Sequence, residues 1–236
     1  MSLAIERASI GTPLNSGTTS TTAILTTDVS VAPGSQIEVI VYGHTQPTTV
    51  TDNSGNGYVW TKDKEHNNNL WIAVFRTIAT AGLASGTVIT ATYASTSNTR
   101  FMCGSSFSGG VASSPLDAVP VSQSYFGAGG TPPIPWVGPT LTPGVSPTIV
   151  FGIFAGIGQA GQSSTPTSPW IQLFDLANAN NDHLVVMYQI VTGLTARTPG
   201  GQFAVTDGAE DEAGITLNYK EGVGGGLTYH GKVATP

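Results

Sequence analysis

Charge is the scarcest property of this sequence. Of 236 residues, 9% are Asp, Glu, Lys or Arg, against about 25% in an ordinary soluble domain. Long solvent-exposed helices lean on Glu, Lys and Arg, so the shortage argues against a helical protein. Cations are the rarer sign: 8 Lys plus Arg stand against 14 Asp plus Glu, for a net charge of −6. So few cations neutralise few phosphates, and nucleic acid is not an expected partner. The lone cysteine, Cys103, excludes an intrachain disulfide and a thiolate metal cluster. The longest strongly apolar stretch, residues 149–157, falls far short of the ~20 residues of a membrane-spanning helix, so no insertion is expected. Residues 1–11 carry Glu6 and Arg7 and no apolar run, which reads as the absence of a signal peptide. A soluble product made in the cytoplasm is the expectation.

What is abundant is Gly (30) and Pro (15), scattered without a period among β-branched residues. Such a mixture punctuates short strands with turns. Residues 37–42 read as a buried strand, with Ile37, Val39 and Val41 on one face. Segments 23–31, 70–78, 87–93 and 100–107 are similarly apolar or alternating, and no segment holds a helical period. The fold class that follows is all-β, a sandwich of jelly-roll or Ig-like type.

The second half echoes the first. Pro33-Gly34 precedes one apolar strand and Pro143-Gly144 another. Leu70-Trp-Ile-Ala-Val-Phe-Arg is answered by His183-Leu-Val-Val-Met-Tyr-Gln, setting Phe75 against Tyr188. In each half a Trp (Trp60, Trp170) stands before a polar loop, 62–69 and 177–182. The repeat of roughly 110 residues matches the size of one β-sandwich, each copy burying its own core. The expected organisation is a first unit over 1–118 and a Gly/Pro-rich linker or arm over 119–140. A second unit over 141–220 and a flexible Gly-rich tail over 221–236 follow.

Reactive chemistry is thinly represented. Cys103 lies in an apolar segment and reads as a buried, inert thiol. The four histidines (His44, His66, His183, His230) show no metal-ligand spacing, and His66 and His183 read as exposed loop residues. The one acidic cluster, Glu210-Asp211-Glu212 with Asp207 nearby, reads as a solvated hairpin tip, not as an opposed carboxylate pair. Asp52, Ser54, Asn56 and Asp63 repeat the oxygen rhythm of a calcium loop. Without flanking helices they are only weak ligand candidates, and the Asn-Gly and Ser-Gly pairs serve a tight turn better. No cofactor is expected. Trp136, between Pro135 and Val137, is the leading candidate for an exposed aromatic at an interface, with Tyr125, Phe126 and Tyr229 beside it.

One stretch carries a recognisable style. Val50-Thr-Asp-Asn-Ser-Gly-Asn-Gly-Tyr is followed by Leu70-Trp-Ile-Ala-Val-Phe-Arg, by Gly86-Thr-Val-Ile-Thr-Ala-Thr-Tyr and by Ser114-Pro-Leu-Asp. Over residues 31–117, and in outline beyond, this resembles phage and prophage virion proteins of the minor-tail or structural kind. The resemblance implies a non-enzymatic virion component working through protein–protein contacts, other virion proteins and a symmetric homo-oligomer being its partners and a host-surface glycan a further one. It carries no catalytic residues. Collagen-like repeats and a coiled-coil stalk are missing, which favours a compact module over a fibre shaft. The rival class is a carbohydrate-binding module or secreted glycan-active protein.

Overall fold

The computed structural model describes residues 3–67, 69–110, 114–126, 134–157, 164–178, 182–203 and 211–222. Among them there are strands and turns and no helix. The first half supplies β1 (Ala4–Arg7), β2 (Leu14–Ser16), β3 (Ser20–Thr26), β4 (Ser35–Gly43), β5 (Pro47–Asp52), β6 (Thr61–Asn67), β7 (Trp71–Ala79), β8 (Val88–Ser97) and β9 (Arg100–Ser108). The second supplies β10 (Val121–Phe126), β11 (Ile134–Val137), β12 (Thr148–Gly156), β13 (Ser164–Pro166), β14 (Ile171–Ala177), β15 (His183–Val191), β16 (Gly200–Phe203) and β17 (Asp211–Lys220).

These strands form two large and two small antiparallel sheets. The first large sheet runs β1-β9-β4-β7-β6, with β2 also on β9; its small companion runs β3-β8-β5. The second large sheet runs β10-β17-β12-β15-β14; its companion runs β11-β16-β13. Apart from β2, the two halves lay down the same order of strands.

Three cores explain how the sheets stack. Ile37, Val39, Val41 and Phe75 pack against Leu25, Ile89 and Ala91 of the first small sheet. Val150, Phe154, Val185 and Met187 pack against Trp136 and Phe203 of the second. The largest cluster lies between the two large sheets, where Ile40, Ile72, Val74, Phe101 and Phe107 meet Phe151, Ile153, Val186, Ile215 and Tyr219. The layers therefore run small, large, large, small. Every residue of β4 and of β12 is buried, because both faces of these central strands are covered. That is why they read as continuous apolar runs and not as alternating ones.

Several expectations need correction. Each half does bury a core of its own, but the largest core is one they share. The supposed polar loop at 62–69 is mostly strand β6, and Ala177 ends β14. The supposed linker at 119–140 contains β10 and β11, each an edge strand of a second-half sheet. Pro135 sits in β11, where an edge position spares the missing amide donor. Residue faces also shift the alignment of the halves. Phe75 and Met187 face the small sheets, whereas Tyr188 packs toward the central core. Phe75 therefore matches Met187, not Tyr188. With Val41 matched to Phe154, Ser35 falls against Thr148, and Pro143-Gly144 is not the counterpart of Pro33-Gly34. The tail beyond Gly222 lies outside the described residues.

Each large buried side chain in the shared core contributes about 1.5–3 kcal/mol relative to exposure. A chain ending at residue 118 would leave Ile40, Val74, Phe101 and Phe107 without their partners. Residues 1–118 produced alone are expected to aggregate or self-associate and to bind a hydrophobic dye. A monodisperse, dye-silent monomer by light scattering would contradict the shared-core account.

Candidate functional site

Two clusters of buried polar side chains lie where the two halves touch. At one end of the stack, Asp182, just before β15, has a fully buried side chain. Its carboxylate accepts hydrogen bonds from the Tyr42 hydroxyl at 2.6 Å, the Thr99 hydroxyl at 2.7 Å and His44 Nε2 at 2.8 Å. All three donors come from the first half. The backbones of Asn178 and Asp182 are tied as well, Asn178 N donating to the Asp182 carbonyl at 3.1 Å. Burial pushes the carboxyl of Asp182 up, but the donors of His44, Tyr42 and Thr99 outweigh it and hold Asp182 below the ordinary value. The same contact raises His44.

A second polar cluster lies inside the shared core. Register puts Lys62 opposite Phe75 and Lys64 opposite Val74, so Asp63 is the extra residue of a β-bulge. Bulges re-aim side chains, and this one turns Asp63 inward to 2% side-chain exposure. There it accepts from Arg76 Nε at 2.8 Å and from the Tyr219 hydroxyl of the second half at 2.8 Å. Beside Arg76 on β4 sits Glu38, fully buried, its two carboxylate oxygens without a hydrogen-bond partner among the described residues. Burial first, and Asp63 second, push its carboxyl well above the ordinary range, with Arg76 opposing. Burial without a partner thus favours the neutral form of Glu38. The bulge in β14 falls at Leu173, the counterpart of Asp63. The counterparts of Glu38 and Arg76 are Phe151 and Tyr188, so the second half answers a charged trio with apolar and aromatic groups.

His183 occupies the first position of β15 and is fully buried, not an exposed loop residue. Its Nε2 contacts Asp175 Oδ1, and Asp175 Oδ2 accepts from the Ser164 amide at 2.9 Å. Glu212 is in β17 and 8% exposed, not at a solvated tip, and burial raises its carboxyl to about 7. Asp207 and Glu210 lie outside the described residues. His66 is half-buried and bonds Ser124 of β10 at 2.8 Å. Cys103 is buried, and burial raises its thiol well above the ordinary value.

The four calcium candidates are not brought together around one point. Asp52 closes its own turn, accepting from the Ser54 amide at 3.0 Å and from Trp60 Nε1 at 2.8 Å, while Asn56 donates to the Tyr58 hydroxyl at 3.1 Å. Asp63 points away into the core. Among the described residues no three His, Cys, Asp or Glu side chains come together in a metal-holding group. Trp136 is not an exposed aromatic either. It is 4% exposed, stacked on Phe154 at 4.5 Å between centroids, with Nε1 donating to Ser164 Oγ at 3.3 Å. Tyr125 and Phe126 end β10, and Tyr229 lies outside the described residues.

The surface offers concavities on the second half. A groove of about 490 Å³ is walled by Trp136, Trp170, Pro199, Arg197, Gln189 and Gln202 among others. A cleft of about 360 Å³ continues from it along Pro169, Ile171, Tyr188 and Ile190, and shares Gln189 and Arg197. Arg197 is the one ionisable cation lining either. Aromatic and proline edges with a few polar groups are the general lining of a ligand-binding concavity. Sequence reading missed this groove because Arg197 and Pro199 lie about 60 residues from Trp136 and meet it only through the pairing of β11 with β16. No family model, no curated protein and no solved structure matches the chain.

Two substitutions test the buried clusters. Asp182→Asn leaves donors facing donors across the two halves and is expected to cost about 3 kcal/mol of unfolding free energy. The depressed carboxyl makes its contribution present above the ordinary value of 3.8 and lost as pH falls. Raised His44 makes its own contribution full below 6.5 and lost as pH rises through the folded value. The deficit of Asp182→Asn is therefore largest at mildly acid pH, as read by denaturant melts across a pH series. Glu38 has the raised sign: its contribution is full below 4.5 and is lost as pH rises toward the folded value. Glu38→Gln should match the wild type at pH 4 and exceed it increasingly in alkaline buffer; a parallel pair of pH–stability curves would remove the neutral-acid assignment.

Proposed function

We propose that this chain is a non-enzymatic structural component of a bacteriophage particle, tail-associated or on the capsid surface, built from two related β-sandwich units in tandem. The observation carrying the assembly part is the placement of exposed apolar surface. Of eight large hydrophobic residues that stand exposed among the described residues, five (Val137, Val145, Ile171, Ile190 and Leu194) belong to the second half, where the groove also lies. A surface of low charge with apolar side chains gathered on one half suits contacts to neighbouring subunits, which are depleted of charge at their centres. The matched strand orders and matched bulges support the tandem reading, and the sequence style of residues 31–117 supports the phage reading.

The groove favours one second reading, a glycan-binding module. Trp136 and Trp170 edges, Gln189, Gln202 and Arg197 are groups that contact sugars. Native mass and a glycan array separate the two. The structural reading expects a closed symmetric oligomer at micromolar concentration and no glycan held tighter than about millimolar. A strict monomer binding one glycan class at micromolar strength would overturn it in favour of the module. Val137→Asp, on the groove rim, should dissociate the oligomer while leaving the thermal midpoint within a few degrees, since an exposed site contributes little to folding.

A further inference from the structure

The two halves part company in one connection. Matching Phe75 to Met187 sets Ala79 against Val191 and Val88 against Gly200. The connection over 80–87 therefore answers that over 192–199, residue for residue. The link from β5 to β6 runs over 53–60, but its counterpart from β13 to β14 runs over 167–170 only, each ending in a Trp. The longer loop lies across its neighbour. Asn53 Oδ1 accepts from the Val88 amide at 2.8 Å. The Ala81 amide donates to the Tyr58 hydroxyl at 3.3 Å, and that hydroxyl donates to the Gly82 carbonyl. The shorter link carries no counterpart of Tyr58. Between it and residues 196–202 lies the groove of about 490 Å³. Leu194, the match of Gly82, stands 55% exposed.

Arg197 is the residue of this groove that calls for a ligand. Its backbone is held by a reciprocal pair of hydrogen bonds with Leu141, at 2.7 and 2.9 Å. Its side chain lines the groove, yet Nε is shut off from solvent and has no hydrogen-bond partner among the described residues. A buried donor without an acceptor is unfavourable, and an acceptor that reaches it removes the penalty. No acid lines the groove among the described residues, in a chain of net charge −6. Arg197 therefore favours a carboxylate, whose two oxygens match the fork of guanidinium donors.

The rest of the lining narrows the kind of molecule. Thr167, Ser168, Gln189 and Gln202 bring uncharged hydroxyls and amides. Trp136 is a fixed wall: its ring stacks on Phe154, and a Cβ at Gly201 would come within 2.8 Å of it. β16, whose Gly200 and Gly201 line the groove, is hydrogen-bonded on both sides, so a peptide finds no strand edge there to extend. Hydroxyls and amides around one cation, against a rigid apolar wall, suit a polyhydroxy ring bearing a single carboxylate.

We propose that this groove binds a sugar acid, a pyranose carrying a carboxylate, with the Arg197 guanidinium on the carboxylate and Ser168, Gln189 and Gln202 on the ring hydroxyls. This inference rests on the glycan reading of the groove and names its ligand class. A single site of millimolar strength is compatible with a structural role, since a symmetric oligomer multiplies weak sites.

The test is titration of the full chain with glucuronate and galacturonate, against glucose, galactose and acetate, read by saturation-transfer NMR. The expected result is uronate binding at about millimolar strength, with the neutral sugars and acetate about tenfold weaker or more. Arg197→Gln should lower uronate affinity about tenfold and leave neutral sugars unchanged, while Arg197→Lys retains part of the preference. Uronates bound no tighter than glucose and galactose overturn the carboxylate assignment and leave a neutral glycan site. Acetate bound as tightly as the uronates overturns the sugar and leaves a plain anion site. Failure of both uronates to bind overturns the inference; a neutral glycan captured by the same sample on an array then shows the glycan reading outliving it.

Discussion

The face-to-face contact of the two large sheets, one of six strands and one of five, is the constraint on which the rest of the molecule depends. A single sandwich of a large and a small sheet would leave one face of its large sheet to solvent. Here that face carries Ile40, Ile72, Val74, Phe101 and Phe107 in one half and Phe151, Ile153, Val186 and Ile215 in the other. Neither set survives in water, and each is the other's only cover among the described residues. Burial at about 25 cal/mol per Å² of apolar surface makes this the largest favourable contact between the halves. It also requires β4 and β12 to be apolar on both sides, and it turns the outer small sheets into the surfaces that meet solvent.

Much of the fold is legible because strand-forming residues and turn residues alternate cleanly. Segments around 37–42, 70–78 and 100–107 correspond to β4, β7 and β9 nearly as bounded. Charged or polar strands are not legible. β6, Thr-Lys-Asp-Lys-Glu-His-Asn, has no apolar alternation, and its place at a sheet edge is what allows its composition. β11 carries a proline and β10 is mostly polar; both are edges too. Edge strands obey weaker rules than central ones, so the sequence pattern weakens at those places.

The buried groups are the least legible of all. His183 and Glu212 resemble loop residues by composition, and only pairing with β12 reveals that each begins a buried strand. Asp63 reads as the last ligand of a loop because spacing alone is visible; a one-residue bulge sends it the other way. Trp136 reads as exposed because prolines and glycines surround it, yet the β11–β16 ladder delivers it onto Phe154. In each case the deciding contact joins residues far apart in sequence, which local periodicity does not register.

Those buried polar groups also answer a difficulty created by the shared core. Two sheets meeting through aliphatic side chains lose little if one slides along the other by a two-residue step, since the period of a strand restores the same face. Hydrogen-bonded groups do not tolerate the slide. Asp182 satisfies Tyr42, His44 and Thr99 in one register only, and Tyr219 reaches the inward-turned Asp63 in that same register. A slip would strand a buried carboxylate in each of the two clusters, at a cost of about 3–5 kcal/mol for each broken pair. The apolar counterparts of the charged trio, Phe151, Leu173 and Tyr188, make the two halves distinguishable as well. Apolar area thus supplies the attraction between the halves, and a few costly polar contacts fix how they meet.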